Sequence, residues 1–211
     1  MLLLAAGCAP GDFDADEALA VYGAMEGVNS DVWAFLYDRS APSDEDDDTD
    51  PIDTGPLDSG WDTAWKDGAA KDVLWHTHAD GSGSFEGTYG GLGSWTGQVA
   101  LVGSYQPTLL TLDEWSQMWD MQATWTDIEY GDMRIDAEFD WDVGAVYDGG
   151  AFTYLARVHG DVTSRGGARG EGRVEYLTTV RYTGGQYLVS TEGTIGGRDI
   201  SHEYDATAFG I

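Results

Sequence analysis

The sequence predicts a mainly β protein, in which about nine antiparallel strands form a meander that curves into a sheet or a barrel behind an N-terminal helical segment. From about residue 70 onward, apolar and polar residues alternate with period 2, as half-buried strands require. Glycine-rich turn signals separate these segments at spacings of about 10–15 residues. Nine Trp, eleven Tyr and six Phe furnish a core in 211 residues. No helical pattern falls between the strands, so hairpins should join them.

The helical segment is predicted within residues 14–38. Asp14 is placed as its N-cap, with Glu17 at the capping-box position. Its acidic polar face favours packing on the domain over lying on a membrane surface. Apolar residues recur there at helical spacing: Leu19, Tyr22, Met25, Val28, Val32, Phe35 and Leu36. Three residues are expected to break the segment into two shorter helices: Gly27, Asn29 and Ser30.

An acidic, proline-rich stretch over residues 40–69 is predicted to be a linker, because it has too few apolar residues to offset the entropy of ordering it. Its alternating aspartates, Asp46, Asp48 and Asp50, suggest a calcium loop. However, Pro51 and Leu57 occupy the positions where an EF-hand needs glycine and a bidentate acid. We therefore divide the chain into a lipid-anchor and helical segment (8–39), the linker (40–69) and a β-rich domain (70–211).

The clearest strand lies at residues 133–143, where apolar and charged residues alternate without a break. In a curved sheet or soluble barrel its apolar face points inward, whereas a barrel inserted in a membrane would turn that face towards lipid. The shortness of several predicted strands favours the inward arrangement. The other strands are predicted at residues 72–79, 83–90, 94–104, 117–128, 152–158, 174–182, 187–191 and 200–206.

The charge of the chain limits its partners. With 38 acidic and 10 basic residues the net charge is −28. Nucleic acid and anionic headgroups are poor partners, because binding them depends on clustered Lys and Arg. The excess of acidic residues instead favours a cationic protein or metal cations as partners. Alternatively, it reflects adaptation to a salty environment and implies no such partner. The oligomeric state is not predicted.

Two histidines are the weak metal candidates of the sequence. His76 and His78 lie on one face of a predicted strand, a spacing that some zinc sites use. The remaining histidines, His159 and His202, belong to separate strands and approach only if the sheet closes that way. A third ligand is not identifiable, so no metal site is predicted.

Catalytic signals are weak as well. Asp136, Glu138, Asp140 and Asp142 follow one another on one strand face about 7 Å apart, a separation that paired carboxylates use in glycosidases. Any exposed strand of an acidic protein has the same spacing. The sequence contains no nucleophile elbow, phosphate loop or zinc-protease helix. We therefore predict no catalytic residues and no cofactor, with hydrolysis as a distant alternative.

The aromatic excess suggests a further alternative. Tryptophans are concentrated in the central strands, and in a barrel of about eight or more strands some of them line a ligand cavity instead of filling a core. The candidates for such a cavity are Trp95, Trp119, Trp125 and Trp141. Core packing is the favoured interpretation.

The single cysteine gives the clearest functional indication. Cys8 follows a short apolar run, Met1-Leu-Leu-Leu-Ala-Ala-Gly. This arrangement resembles the lipobox of bacterial lipoproteins, in which Gly7 and Ala6 match the small residues before the modified cysteine. The resemblance implies cleavage of a signal peptide before Cys8 and acylation of that residue. Ala9 behind it is compatible with sorting to the outer membrane. No Lys or Arg precedes Arg39, so we expect residues 1–7 to be the end of a longer signal.

From these features we expect a lipid-anchored protein of the bacterial cell envelope, held in the membrane by acyl chains on Cys8. Its role would be structural or one of interaction, without catalysis. The alternative is a carrier that binds an apolar ligand inside the curved sheet or barrel.

Overall fold

A computed structural model describes residues 11–40, 70–78, 80–90, 94–111 and 114–207. One helix, α1 (Ala15–Ser40), precedes a sheet of ten strands. The strands are β1 (Ala70–Thr77), β2 (Gly83–Gly90), β3 (Trp95–Thr111), β4 (Glu114–Tyr130), β5 (Met133–Asp148), β6 (Ala151–Gly166), β7 (Gly170–Thr183), β8 (Gln186–Ile195), β9 (Arg198–Asp199) and β10 (His202–Asp205).

The strands pair in sequence order from β1 to β8, each antiparallel to the next. After β8 the chain adds β10 as the last strand, while the two-residue β9 pairs with β8 beside it. The sheet is curved but not closed, with β1 and β10 at its two ends. The predicted meander with an N-terminal helix is confirmed, and of the two predicted forms the protein adopts the curved sheet.

The central strands are longer than predicted. Strand β3 has 17 residues and runs well past the predicted end at 104. A proline usually marks a strand edge because it cannot donate to the ladder, and Pro107 lies inside β3. It is tolerated because the pairing with β2 ends at Tyr105, so that Pro107 pairs with Gln117 of β4 alone. Strands β5, β6 and β7 are likewise longer than predicted. The strands near the two edges are short, with eight residues each in β1 and β2 and four in β10.

Helix α1 is a single helix, contrary to the predicted break near Gly27. The break does not occur because Gly27 is a contact point: a Cβ there would lie 3.0 Å from the ring of Tyr130. The predicted capping box is confirmed. The backbone N–H of Asp14 donates to Glu17 Oε2, and that of Glu17 donates to Asp14 Oδ1, each at 2.9 Å. Within the described residues, no helix combines the length and hydropathy that a membrane crossing requires.

The core lies between α1 and the concave face of the sheet. Small side chains, among them Ala123, Ala145 and Ala156, are buried on the central strands. The apolar side chains of α1, among them Val21, Met25 and Val28, are buried in the same core cluster as the inner face of the sheet. Aromatic rings flank this contact, with Trp33 of α1 edge-on to Trp119 at a centroid distance of 5.3 Å. The predicted packing of the helix on the domain is confirmed.

Candidate functional site

The face of the sheet turned away from α1, here called the outer face, carries most of the charged side chains of the strands. The strand register aligns them in rows across the sheet. Two neighbouring rows cross its centre. One contains Gln122, Asp140, His159, Glu175 and Thr194; the other contains Ser104, Asp120, Asp142, Arg157, Leu177 and Glu192. Five carboxylates in these rows face one arginine and one histidine, so the centre of the outer face is acidic.

The four carboxylates considered for catalysis all lie on the outer face of β5, in different surroundings. Asp136 is engaged by its neighbours: it accepts the N–H of Asp127 at 2.9 Å and lies 3.5 Å from the guanidinium of Arg165. Asp140 accepts a long hydrogen bond of 3.4 Å from the amide of Gln122. Glu138 is exposed. Asp142 is a Cα partner of Asp120 on one side and of Arg157 on the other.

Asp142 has two like charges close to its carboxyl group, those of Asp120 and Asp140. Partial burial raises the pKa of its carboxyl group above the usual range, and the negative charges of Asp120 and Asp140 add to this. Arg157 opposes the shift in part. Like charges directly opposite each other destabilise a sheet, so Asp120 and Asp142 form a contact that the fold tolerates without gaining from it.

Three adjoining open grooves follow these rows. The first, of about 690 Å³, is lined by Glu138, Asp140, His159, Asp161 and Arg173 among others. The second, of about 670 Å³, continues from Asp140 and Asp142 to Glu192. The third, of about 540 Å³, lies at Gly144 between Met118 and Leu155. His159 and Arg173 contact each other through Nε2 and a guanidinium nitrogen beside the first groove. The grooves and these basic partners were missed in the sequence, because only the register reveals which residues adjoin.

The histidines are not brought together. His76 lies exposed in β1 and His78 is exposed just beyond that strand. His159 lies in β6, while His202, in β10, donates a hydrogen bond of 2.8 Å from Nδ1 to the carbonyl of Ile200. The sheet does not close, so β1 and β10 stay apart. Across the described ranges, no three His, Cys, Asp or Glu side chains are grouped so that they could hold a metal ion.

The four candidate cavity tryptophans lie in the core. Trp95, Trp119, Trp125 and Trp141 are only 1–2% exposed. Trp33 of α1 lies over two of them, with its ring centroid 5.3 Å from that of Trp119 and 6.5 Å from that of Trp141. Trp95 donates its indole N–H to Asp31 of α1 at 3.0 Å. A ligand bound to these tryptophans would therefore have to displace α1.

A polar cluster between α1 and the sheet was missed in the sequence. Burial raises the pKa of the Glu26 carboxyl group, while the hydroxyls of Tyr176 and Thr178 and the ring of His202 oppose the shift in part. Burial and the neighbouring Glu26 also raise the pKa values of Tyr176 and Tyr154 well above the usual range. The signal in the sequence was an acid at position 26, between the apolar residues 25 and 28 of the helix.

Cys8 and most of the predicted linker, including the aspartates considered for calcium, lie outside the described residues. Comparisons with protein families, with curated proteins and with solved structures find no match to this chain.

Proposed function

We propose that this protein is a lipid-anchored protein of the bacterial cell envelope, in the outer membrane, and that its β-domain works by binding a partner. The anchor is Cys8, which follows the apolar run that resembles a lipobox. The observation that supports the proposal concerns the residues that directly follow this cysteine, which pack against the β-domain.

Residues 11–13 are held beside the start of β7 and beside β9. The carbonyl of Gly11 accepts the N–H of Glu171 at 3.1 Å, at the start of β7. The carbonyl of Phe13 accepts a hydrogen bond of 2.7 Å from Arg198 Nε in β9. The Phe13 side chain is fully buried, and a Cβ on Gly170 would come within 2.5 Å of its ring. Glycine at position 170 is what permits this close contact.

This geometry limits how far the domain can lie from its anchor. Only Ala9 and Pro10 separate Cys8 from Gly11, and even a fully extended chain spans about 10 Å over these three Cα–Cα steps. Acyl chains on Cys8 would thus hold the turns between β6 and β7 and between β8 and β9 beside the membrane surface. Two or three acyl chains suffice for stable attachment. This end of the domain is then held near the membrane, which leaves the outer face accessible to a partner.

The outer face has the composition of an interaction surface. Such surfaces combine exposed apolar residues with a polar rim, and Met and Arg are enriched in them. Met118, Val146 and Leu155 are each about 40–60% exposed on this face, beside the charged rows. The excess of carboxylates favours a cationic protein as the partner.

Mass spectrometry of the protein purified from its native membranes tests the anchor. The expected N-terminal peptide begins at Cys8 and carries the mass of two or three acyl chains, and the protein sediments with the outer membrane. Cys8→Ser, compared with Ser94→Ala as a matched small change elsewhere, is expected to release the protein into the soluble fraction. An unmodified Cys8 in the purified protein would refute the proposal.

A further inference from the structure

The groove at Gly144 combines an apolar floor with an acidic rim. Gly144 has no side chain, and its Cα partners Met118 and Leu155 both point outward. The Met118 side chain lies across Gly144, which is buried, so Met118 and Leu155 themselves form the floor. A Cβ on Gly144 would lie 3.2 Å from Met118 Sδ and 4.0 Å from Leu155 Cβ. Met118 is 57% exposed and Leu155 is 39% exposed. Leu177 continues this apolar lining on the next strand.

The rim of the same groove carries negative charge that the sheet itself does not balance. Asp120 and Asp142 are direct cross-strand partners and both line the groove, with Arg157 as the basic residue beside them. Asp140 follows Asp142 on the same face of β5. A cation placed between the two partner carboxylates would relieve their repulsion, which no apolar or anionic ligand would do.

Charge also decides among the possible occupants. Residues 41–69 of this chain contain ten acidic residues and one lysine, so electrostatic repulsion opposes their binding to the groove. A second copy would bring the same acidic face. Anionic lipid surfaces and nucleic acids are repelled for the same reason. A basic segment of another protein remains the occupant with complementary charge.

We propose that the Gly144 groove binds a basic, amphipathic segment of a partner protein, whose apolar side chain packs on the exposed surfaces of Met118 and Leu155 above Gly144. A lysine or arginine next to that side chain reaches Asp120 and Asp142. This inference rests on the proposed interaction function and names the partner chemistry for it. Protonation of Asp142 removes one of the two negative charges, so binding weakens as the pH falls through the raised pKa of this group.

The test measures binding of fluorescent peptides to the full chain in nonionic detergent. The probes are the alternating peptide Lys-Leu-Lys-Leu-Lys, its Lys-Ser counterpart and its Glu-Leu counterpart. We expect binding of the Lys-Leu peptide, at least tenfold weaker binding of the Lys-Ser peptide and no binding of the Glu-Leu peptide. Equal affinity for the Lys-Leu and Lys-Ser peptides overturns the proposal, because it indicates attraction by charge alone.

Variants locate the site. Asp120→Asn with Asp142→Asn, and separately Met118→Gln, are expected to weaken binding of the Lys-Leu peptide about tenfold. The matched control is Asp161→Asn with Glu171→Gln, which makes the same charge change on the same face roughly 13 Å or more along the strands. An equal loss in the control, or no loss in the groove variants, overturns the proposal. Circular dichroism confirms that each variant is folded.

The two proposals fail separately. If Cys8 is not an anchor, Cys8→Ser stays with the membrane fraction or the wild type is already soluble, and peptide binding is unaffected. If the groove is not a binding site, the groove variants bind peptide like the wild type, and membrane attachment is unaffected.

Discussion

The hydroxyl of Tyr22 in α1 lies 2.6 Å from Oγ1 of Thr191 in β8, which joins residues 169 positions apart inside the core. Thr178 of β7 completes the group, with its Oγ1 3.2 Å from that of Thr191 and 3.5 Å from the Tyr22 hydroxyl. Hydrogen bonds as well as apolar contacts therefore fix the helix on the sheet.

Tyr22→Phe is expected to destabilise the protein by about 1 kcal/mol, because it removes a buried hydrogen bond but keeps the ring. Urea unfolding measures the change. Tyr204→Phe is the matched control: Tyr204 is 47% exposed, so its loss of a hydroxyl should change stability by less than about 0.5 kcal/mol. Equal effects of the two changes would show that the Tyr22 hydroxyl does not help to hold the helix.

Glu26→Gln is expected to stabilise the protein at neutral pH. The groups that face Glu26 are Tyr22 on its own helix, Tyr154, Tyr176 and Thr178 on the sheet, and His202 on β10. Because burial raises the folded-state pKa of Glu26 above its unfolded value, the wild type loses stability as the pH rises through the folded-state pKa. Glutamine does not ionise, so the variant does not show this loss.

Unfolding midpoints of wild type and Glu26→Gln measured between pH 4 and 8 check the expected sign. The two proteins should be alike below the unfolded pKa of a glutamate, about 4.3, and the variant should gain on the wild type as the pH rises. Glu203→Gln, an exposed change on β10, controls for net charge. A variant less stable than the wild type at neutral pH would contradict the burial of Glu26.

Two buried tryptophans differ in whether the indole N–H group is hydrogen-bonded. Trp95 donates to Asp31 of α1 at 3.0 Å, whereas Nε1 of Trp125 is buried without a hydrogen-bond partner among the described residues. Both Trp→Phe changes remove similar volume. Trp95→Phe should therefore cost about 1–2 kcal/mol more than Trp125→Phe, since it alone breaks a hydrogen bond to a charged group. Denaturant titrations of both variants decide this, and a larger loss in Trp125→Phe would contradict it.

Two glycines on neighbouring strands should tolerate alanine very differently. A Cβ on Gly160 would lie 2.2 Å from the carbonyl oxygen of Glu138 and 2.5 Å from Cα of Phe139, and this backbone cannot move aside. At Gly144 the nearest atom is the flexible sulfur of Met118 at 3.2 Å. Thermal unfolding should show a loss of about 3 kcal/mol for Gly160→Ala and less than about 1 kcal/mol for Gly144→Ala. Similar losses would mean that β5 and β6 lie further apart.

The fold was predictable because its signals are local. Period-2 alternation and glycine turns define the strands, and hairpins then fix their order. Two residues that normally interrupt secondary structure do not do so here, because tertiary structure accommodates them: β3 continues through Pro107 beyond its predicted end, and α1 continues through Gly27. Pro107 lies beyond the reach of β2, and Gly27 lies under the ring of Tyr130.

The candidate site was less predictable, because it depends on register. The alternating carboxylates of β5 are evident in the sequence, but the pairing of Asp142 with Asp120 depends on the alignment of β4 and β5. The same holds for Gly144, which lies between Met118 and Leu155 only once three strands are aligned. Glu26 was overlooked because the sequence of the helix does not reveal which residues of the sheet surround this side chain.

The most direct test of the account is the depth of the two ends of β5 in lipid bilayers. One spin label is placed at Asp132→Cys, in the turn before β5. Asp132 accepts a hydrogen bond from Gly167, in the turn before β7, and Gly11 is bound at the start of β7. The other label is placed at Asp148→Cys, roughly 50 Å away at the far end of the 16-residue strand β5. Acylated Cys8 does not react with the label. Paramagnetic relaxation by bilayer-soluble oxygen should place label 132 at the membrane surface and label 148 in water. Equal relaxation of the two labels, or stronger relaxation of label 148, would contradict anchoring through Cys8.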